Sequence, residues 1–90
     1  MYYCVIPMRV KVKFLAAVAD YTGVYKTEIE LDDGMRFKDV VEYLREKFPG
    51  LREIESKLPI LILLNGRKVD PETLLEDGDR IAFLPPISGG

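Results

Sequence analysis

The sequence predicts a small α+β domain: a mixed sheet of about five strands with one main helix packed across it. Three observations point there. Apolar and charged residues alternate near the start, with Val10, Val12 and Phe14 against Arg9, Lys11 and Lys13. Only one long stretch has helical spacing, at Phe37, Val40, Val41, Leu44 and Phe48. The second half then carries an unbroken apolar run, Ile60 to Leu64, and a shorter patterned segment, Arg80 to Leu84. A period of two suits a half-buried strand, and a period near 3.6 suits an amphipathic helix.

The alternation from Met8 to Phe14 is the first strand. Because it opens on a methionine, residues 1–7 are expected to be an N-terminal extension, which leaves Cys4 outside the patterned core. Leu15 to Thr22 contains Ala16, Ala17 and Ala19, good helix formers, and Gly23 follows as a C-terminal stop, so a short helix or turn is expected. Val24 to Leu31 alternates again, Tyr25, Thr27, Ile29 and Leu31 against Lys26, Glu28 and Glu30, and forms the second strand. Asp32-Asp33-Gly34 is a turn signal before the main helix, which Pro49-Gly50 ends.

Leu51 to Leu58 is charged and weakly patterned, and reads as a loop or loose turn of helix. The run Ile60 to Leu64 fits a central strand covered on both faces. Asn65-Gly66 signals a tight hairpin, since a type I′ turn needs positive φ at both positions, and Arg67-Lys68-Val69 is the expected short return strand. Asp70-Pro71-Glu72 and Asp77-Gly78-Asp79 bracket a connection with Leu74 and Leu75 turned inward, before the last strand, Arg80 to Leu84. With a final strand lying beside the first, this order gives the β-grasp arrangement, in which the last strand is central. The domain is expected over residues 8–84, followed by a projecting tail, 85–90.

Composition narrows the chemistry. Ninety residues leave room for one core and no second catalytic lobe. The net charge is −2 and the basic residues are dispersed, so neither nucleic acid nor another dominant polyanion is an expected partner. The chain has no histidine and one cysteine, which removes a self-contained Cys/His nucleophile pair, a zinc site and a disulfide framework. No metal site is expected: the carboxylates of Asp77 and Asp79 read as a strand-entry turn. No stretch approaches the roughly 20 apolar residues that span a bilayer, and a cytoplasmic protein with no membrane partner is the expectation.

The most informative feature is the end, Leu84-Pro85-Pro86-Ile87-Ser88-Gly89-Gly90. Gly89 and Gly90 have no Cβ, so the backbone around the terminal carboxylate fits a slot too narrow for any side chain. Pro85 and Pro86 favour an extended chain. At about 3.3–3.6 Å per residue, the segment from Pro85 to Gly90 reaches about 20 Å, far enough to enter a partner's active site. The free carboxylate of Gly90 is the candidate reactive group.

These residues resemble a known family. Val12-Lys13-Phe14-Leu15-Ala16-Ala17, Gly23, Leu64-Asn65-Gly66, and above all the stretch from Leu75 through Asp77-Gly78-Asp79 and Ile81-Ala82-Phe83 to Gly90 are similar to the MoaD family, the small subunits of molybdopterin synthase. The resemblance implies a ubiquitin-like β-grasp fold and a sulfur carrier. An adenylating enzyme related to ubiquitin-activating enzymes would use ATP to convert the Gly90 carboxylate into an acyl-adenylate, and a sulfur donor protein would make it a thiocarboxylate. The tail, with Ser88 and Gly89 in the passage, would then enter the large subunit and give its sulfur to a pterin precursor. No cofactor is implied on this chain, and ATP belongs to the adenylating partner. By analogy Leu15, Leu84, Pro85, Pro86 and Ile87 are interface residues, Leu84 standing where the family often carries an aromatic.

Other outcomes of the same pattern are sulfur delivery to thiazole or tRNA, or attachment to protein lysines as a ubiquitin-like modifier. In a further class the chain is a β-grasp interaction module whose Gly-Gly end does no chemistry.

Overall fold

The computed structural model describes residues 7–32 and 34–86. Its elements are β1 (Met8–Phe14), α1 (Ala17–Thr22), β2 (Lys26–Leu31), α2 (Phe37–Lys47), α3 (Gly50–Glu55), β3 (Leu61–Leu64) and β4 (Arg80–Leu84). The alternation in β1 becomes strict burial and exposure: Met8, Val10, Val12 and Phe14 are buried, and Arg9, Lys11 and Lys13 are exposed. β1 pairs antiparallel with β2 and parallel with β4, and β3 pairs antiparallel with β4. The resulting order is β2-β1-β4-β3, with the first and last strands side by side at the centre.

One face of this sheet carries the core. Val10, Val12, Phe14, Ile29, Leu31, Ile81 and Phe83 cluster with Val18 of α1, Val40 and Leu44 of α2, and Leu51 and Ile54 of α3. Phe14 is the hub, its ring 5.0 Å from that of Phe48 in an edge-on contact and 5.4 Å from that of Phe83. Among the described residues no polar or charged side chain is buried. The stability of the fold therefore rests on apolar burial, at roughly 25 cal/mol per Å² removed from water.

The architecture sharpens the sequence expectation in one place and departs from it in two. Of the loop or loose turn of helix expected over Leu51 to Leu58, the structure takes the helix: α3 begins at Gly50, and Leu51 and Ile54, one turn apart, are both buried. The charges between them, Arg52 and Glu53, face outward and mask that spacing. The run before Asn65 is not a central strand covered on both faces. β3 is an edge strand, with Leu64 buried and Leu61, Ile62 and Leu63 half-buried. Its continuous apolar character serves one face against the core and the other against the open side of the sheet. Finally, Arg67-Lys68-Val69 is no strand. The turn closes as designed, with positive φ at Asn65 (52°) and Gly66 (81°), but only Arg67 bridges back to Leu64, so the described sheet has four strands.

Smaller differences follow from position. Tyr25 precedes the start of β2 and is 61% exposed, so the inward set of that strand is Ile29 and Leu31 with Thr27 half-buried. Leu74 is exposed while its neighbour Leu75 is buried. Cys4 and Asp33 lie outside the described residues.

Candidate functional site

β4 delivers the C-terminal segment, and its backbone is held along its whole length. At its entry the turn Asp77-Gly78-Asp79 is tied to β1: the Gly78 N–H donates to the Arg9 carbonyl (2.8 Å) and the Arg9 N–H donates to Asp77 Oδ1 (2.8 Å). Asp79 accepts from the Glu76 N–H (2.8 Å) and from Asn65 Nδ2 (3.0 Å). Asn65 then clamps the first residue of β4, accepting from the Arg80 N–H through its side chain (2.9 Å) and donating its own N–H to the Arg80 carbonyl (2.7 Å). The two carboxylates thus act as turn-forming acceptors, as their spacing suggested.

At the exit, β4 remains paired on both sides. The Leu15 N–H donates to the Phe83 carbonyl (2.9 Å), and Leu84 stands opposite Leu61. Phe14 and Phe83 are register partners on the core face, so Leu15 and Leu84, the next residue of each strand, share the opposite, open face. Leu15 is 37% exposed and Leu84 half-buried. Ala16 turns the chain out of β1 with a positive φ of 51°, a strained value for a residue with a Cβ, and leaves Leu15 at the surface. Pro85 is half-buried and Pro86 exposed. Ile87, Ser88, Gly89 and Gly90 lie outside the described residues.

The structure therefore places Leu15 and Leu84, which the resemblance nominated together, on one face, and adds residues the sequence reading placed elsewhere. Leu61 and Leu63 share the open face with Leu84 and Ala82. Their signal lay in the parity of β3 relative to the buried Leu64. Below this apolar row an open groove runs between strands, lined by Lys11, Lys13, Lys26, Asn65, Asp79 and Arg80.

The perturbed ionisable groups belong to helix and loop ion pairs. Lys38 on α2 has its pKa raised, chiefly by a hydrogen bond to Glu72, and Arg45 on α2 chiefly by one to Glu55. Lys57 is raised chiefly by its hydrogen bond to the Tyr21 hydroxyl. None of these offers a general acid or base near neutral pH. Among the described residues no cluster of His, Cys, Asp or Glu has the composition of a metal site, and no helix is long and apolar enough to cross a membrane. What the described surface can do is present an apolar row beside the exit of a firmly held strand.

A sheet in the order β2-β1-β4-β3, with parallel central strands and a helix packed across one face, is the ubiquitin-like β-grasp. Within that class the chain belongs to the ThiS family, whose pattern matches residues 12–90. It is similar to the molybdopterin synthase sulfur carrier subunit of Chlamydomonas reinhardtii, with 32% identity over 85 residues, covering 92% of this chain and 100% of that one. It is also similar to a chain of the complex of subunits 1 and 2 of molybdopterin-converting factor from Helicobacter pylori: 33% identical, TM-score 0.67, covering 92% of this chain and 100% of that one. Small archaeal modifier protein 1 of Methanosarcina acetivorans is 31% identical with a TM-score of 0.71, covering 94% of this chain and 99% of its own.

Proposed function

We propose that this chain is the sulfur carrier subunit of molybdopterin synthesis, with the Gly90 carboxylate as the group that is activated and loaded. The observation that carries the reading is the union of β4, fixed at both ends and central in the sheet, with the segment Pro85-Pro86-Ile87-Ser88-Gly89-Gly90 that follows it. Similarity to molybdopterin synthase carrier subunits over nearly the whole chain supports the choice of pathway.

The chemistry belongs to the partners. The Gly90 carboxylate oxygen attacks the α-phosphorus of ATP in the adenylating enzyme and pyrophosphate leaves. A sulfide-level sulfur, supplied by a donor protein, attacks the carbonyl carbon of the acyl-adenylate and AMP leaves, giving the thiocarboxylate. A carboxylate is a poor electrophile, and AMP is the leaving group that makes the substitution feasible. The loaded tail then enters the large synthase subunit, where its sulfur passes to the pterin precursor. Leu15, Leu84, Pro85, Pro86 and Ile87 meet that subunit, and Ser88 and Gly89 fill the narrow passage.

The test is ATP-dependent thiocarboxylate formation with the cognate adenylating enzyme and sulfur donor. Intact mass should show one oxygen replaced by sulfur, and the loaded chain should convert precursor to molybdopterin with the large subunit. A second reading, attachment to protein lysines, is favoured by the similarity to an archaeal modifier protein. Recovery of the chain in isopeptide linkage, with no sulfur-loaded form, would install that reading instead.

A further inference from the structure

Along the open face of the sheet the cross-strand rows change character. Next to the tail the row is apolar, Leu15, Leu84 and Leu61, with Ala82 and Leu63 behind it. At the far end it is neutralised, Arg9 lying 3.3 Å from Glu30 and 3.8 Å from Glu28. Between them is a strip of cations. Lys13 stands directly opposite Lys26 on one side, and Lys11 directly opposite Arg80 on the other.

Among the described residues Lys11, Lys13, Lys26 and Arg80 have no ion-pair partner within 4.0 Å. The nearest acids are otherwise engaged. Glu28 faces Lys11 in register but reaches to Arg9, and Asp77 and Asp79 accept the turn hydrogen bonds. Among the described residues the Lys26 Nζ lies over the ring of Tyr25, 5.7 Å from its centroid. Like charges directly opposite one another weaken a sheet, so this arrangement does nothing for the isolated fold. It occurs, moreover, in a chain whose net charge is −2.

We infer that this open face docks a protein surface that is apolar against Leu15, Leu61, Leu63 and Leu84 and acidic against Lys11, Lys13, Lys26 and Arg80. The apolar row adjoining the cations selects a protein over a free polyanion. The occupant follows from the carrier reading, on which this inference rests: a tail leaving β4 at Leu84 brings the body of a protein it enters onto the adjoining face, and of its partners we take the large synthase subunit, because the similar Helicobacter pylori chain is held in a complex of subunits 1 and 2. Acidic groups there would relieve both like-charge pairs on assembly and would steer the encounter, an effect that raises association rates by about 10- to 1,000-fold and fades with salt.

The experiment measures association of the full chain with the recombinant cognate large subunit over a range of ionic strengths, beside a melting curve for each variant. The variants are Lys26→Glu, the Lys13→Arg/Lys26→Arg pair, and Lys13→Gln/Lys11→Gln, which keeps the question open to measurement should the first fold poorly. The parent's association should slow steeply with salt. Lys26→Glu should melt at or above the parent, because the new carboxylate stands opposite Lys13, yet associate about tenfold more slowly at low salt. The glutamine pair should also slow, and the arginine pair should keep the parent's rate. Salt-insensitive binding, with Lys26→Glu equal to the parent, would overturn the acidic strip and leave the carrier reading standing. Failure of the parent to bind the large subunit at all would overturn both. Salt-sensitive self-association of the parent, lost in Lys26→Glu, would give the face to a second copy and overturn the inference.

Discussion

The guanidinium of Arg45 closes on the carboxylate of Glu55 through two parallel hydrogen bonds, Nε to Oε1 and Nη2 to Oε2, each 2.9 Å long. This fork joins α2 to α3, and Glu42 extends it by pairing with both Arg45 and Arg52. The Arg45 and Glu55 side chains are only 30% and 21% exposed, so solvent screens the pair less than it screens the other surface ion pairs. Bidentate geometry and partial burial place its contribution at the upper end for such pairs, about 1 kcal/mol.

Glu55→Gln should accordingly lower stability by about 1 kcal/mol, which for a domain of this size is a fall of about 4–8 °C in the melting midpoint. Arg45→Lys should recover little of the pairing, because an ammonium cannot reproduce the fork. Thermal melting at low and high salt measures both. A midpoint equal to the parent's would show that α3 is held by Leu51 and Ile54 alone.

Gly50 tests the other junction of α3, with α1, from the backbone side. A Cβ at Gly50 would lie 1.9 Å from the Tyr21 carbonyl oxygen and 2.5 Å from its carbonyl carbon. Those are backbone atoms and cannot rotate aside. Alanine is the better helix former by about 1 kcal/mol, so propensity alone predicts that Gly50→Ala stabilises α3. The clash should win and the variant should lose about 1–3 kcal/mol, as overpacked sites do. Denaturant unfolding decides, and a gain in stability would mean that α1 and α3 do not approach as closely as described.

This junction also shows what the sequence could and could not disclose. Strands β1 and β4 and helix α2 were legible because each has a clean period and one buried face. The turn at Asn65-Gly66 was legible because its residue types answer a steric demand. The role of Gly50 was not: a glycine after proline reads as a stop, and its contact with Tyr21, a residue of α1, exists only in the folded chain. The edge position of β3 was hidden for a related reason. An apolar run looks the same whether its second face meets a helix or lies open, and only pairing with β4 on a single side distinguishes them. The candidate site divided likewise. The chemistry proposed for it was read from the last residues, whereas the common face of Leu15 and Leu84 and the cation strip depend on strand register.

Leu84→Glu should weaken assembly with the large subunit while leaving the fold intact. Leu84 is half-buried on the open face opposite Leu61, so in the free domain a carboxylate there keeps access to water. In the assembly it would stand without a partner in an apolar contact, where such losses reach about 2 kcal/mol or more, a decrease in affinity of about thirtyfold. Titration calorimetry with the large subunit, beside a melting curve, separates the two effects. Unchanged affinity would remove Leu84 from the interface.

Deleting Gly90, or extending the chain beyond it, should abolish adenylation and sulfur loading without altering the fold. The last residue of the described core is Phe83 in β4, and both changes lie beyond it in the chain. Deletion leaves the carboxylate on Gly89, about 3.5 Å short of the nucleotide in the adenylating enzyme, and misplacement on the order of 1 Å already costs about a hundredfold in rate. Extension converts the Gly90 carboxylate into an amide, which lacks the anionic carboxylate oxygen that attacks the α-phosphorus of ATP. The two variants therefore fail for different reasons, one by distance and one by chemistry, and a protease that trims the extension back to Gly90 should restore only the second. Intact mass after incubation with the adenylating enzyme, ATP and the sulfur donor reads the outcome, and a melting curve confirms folding. Full loading of either untrimmed variant would overturn the carrier reading and leave a β-grasp interaction module in its place.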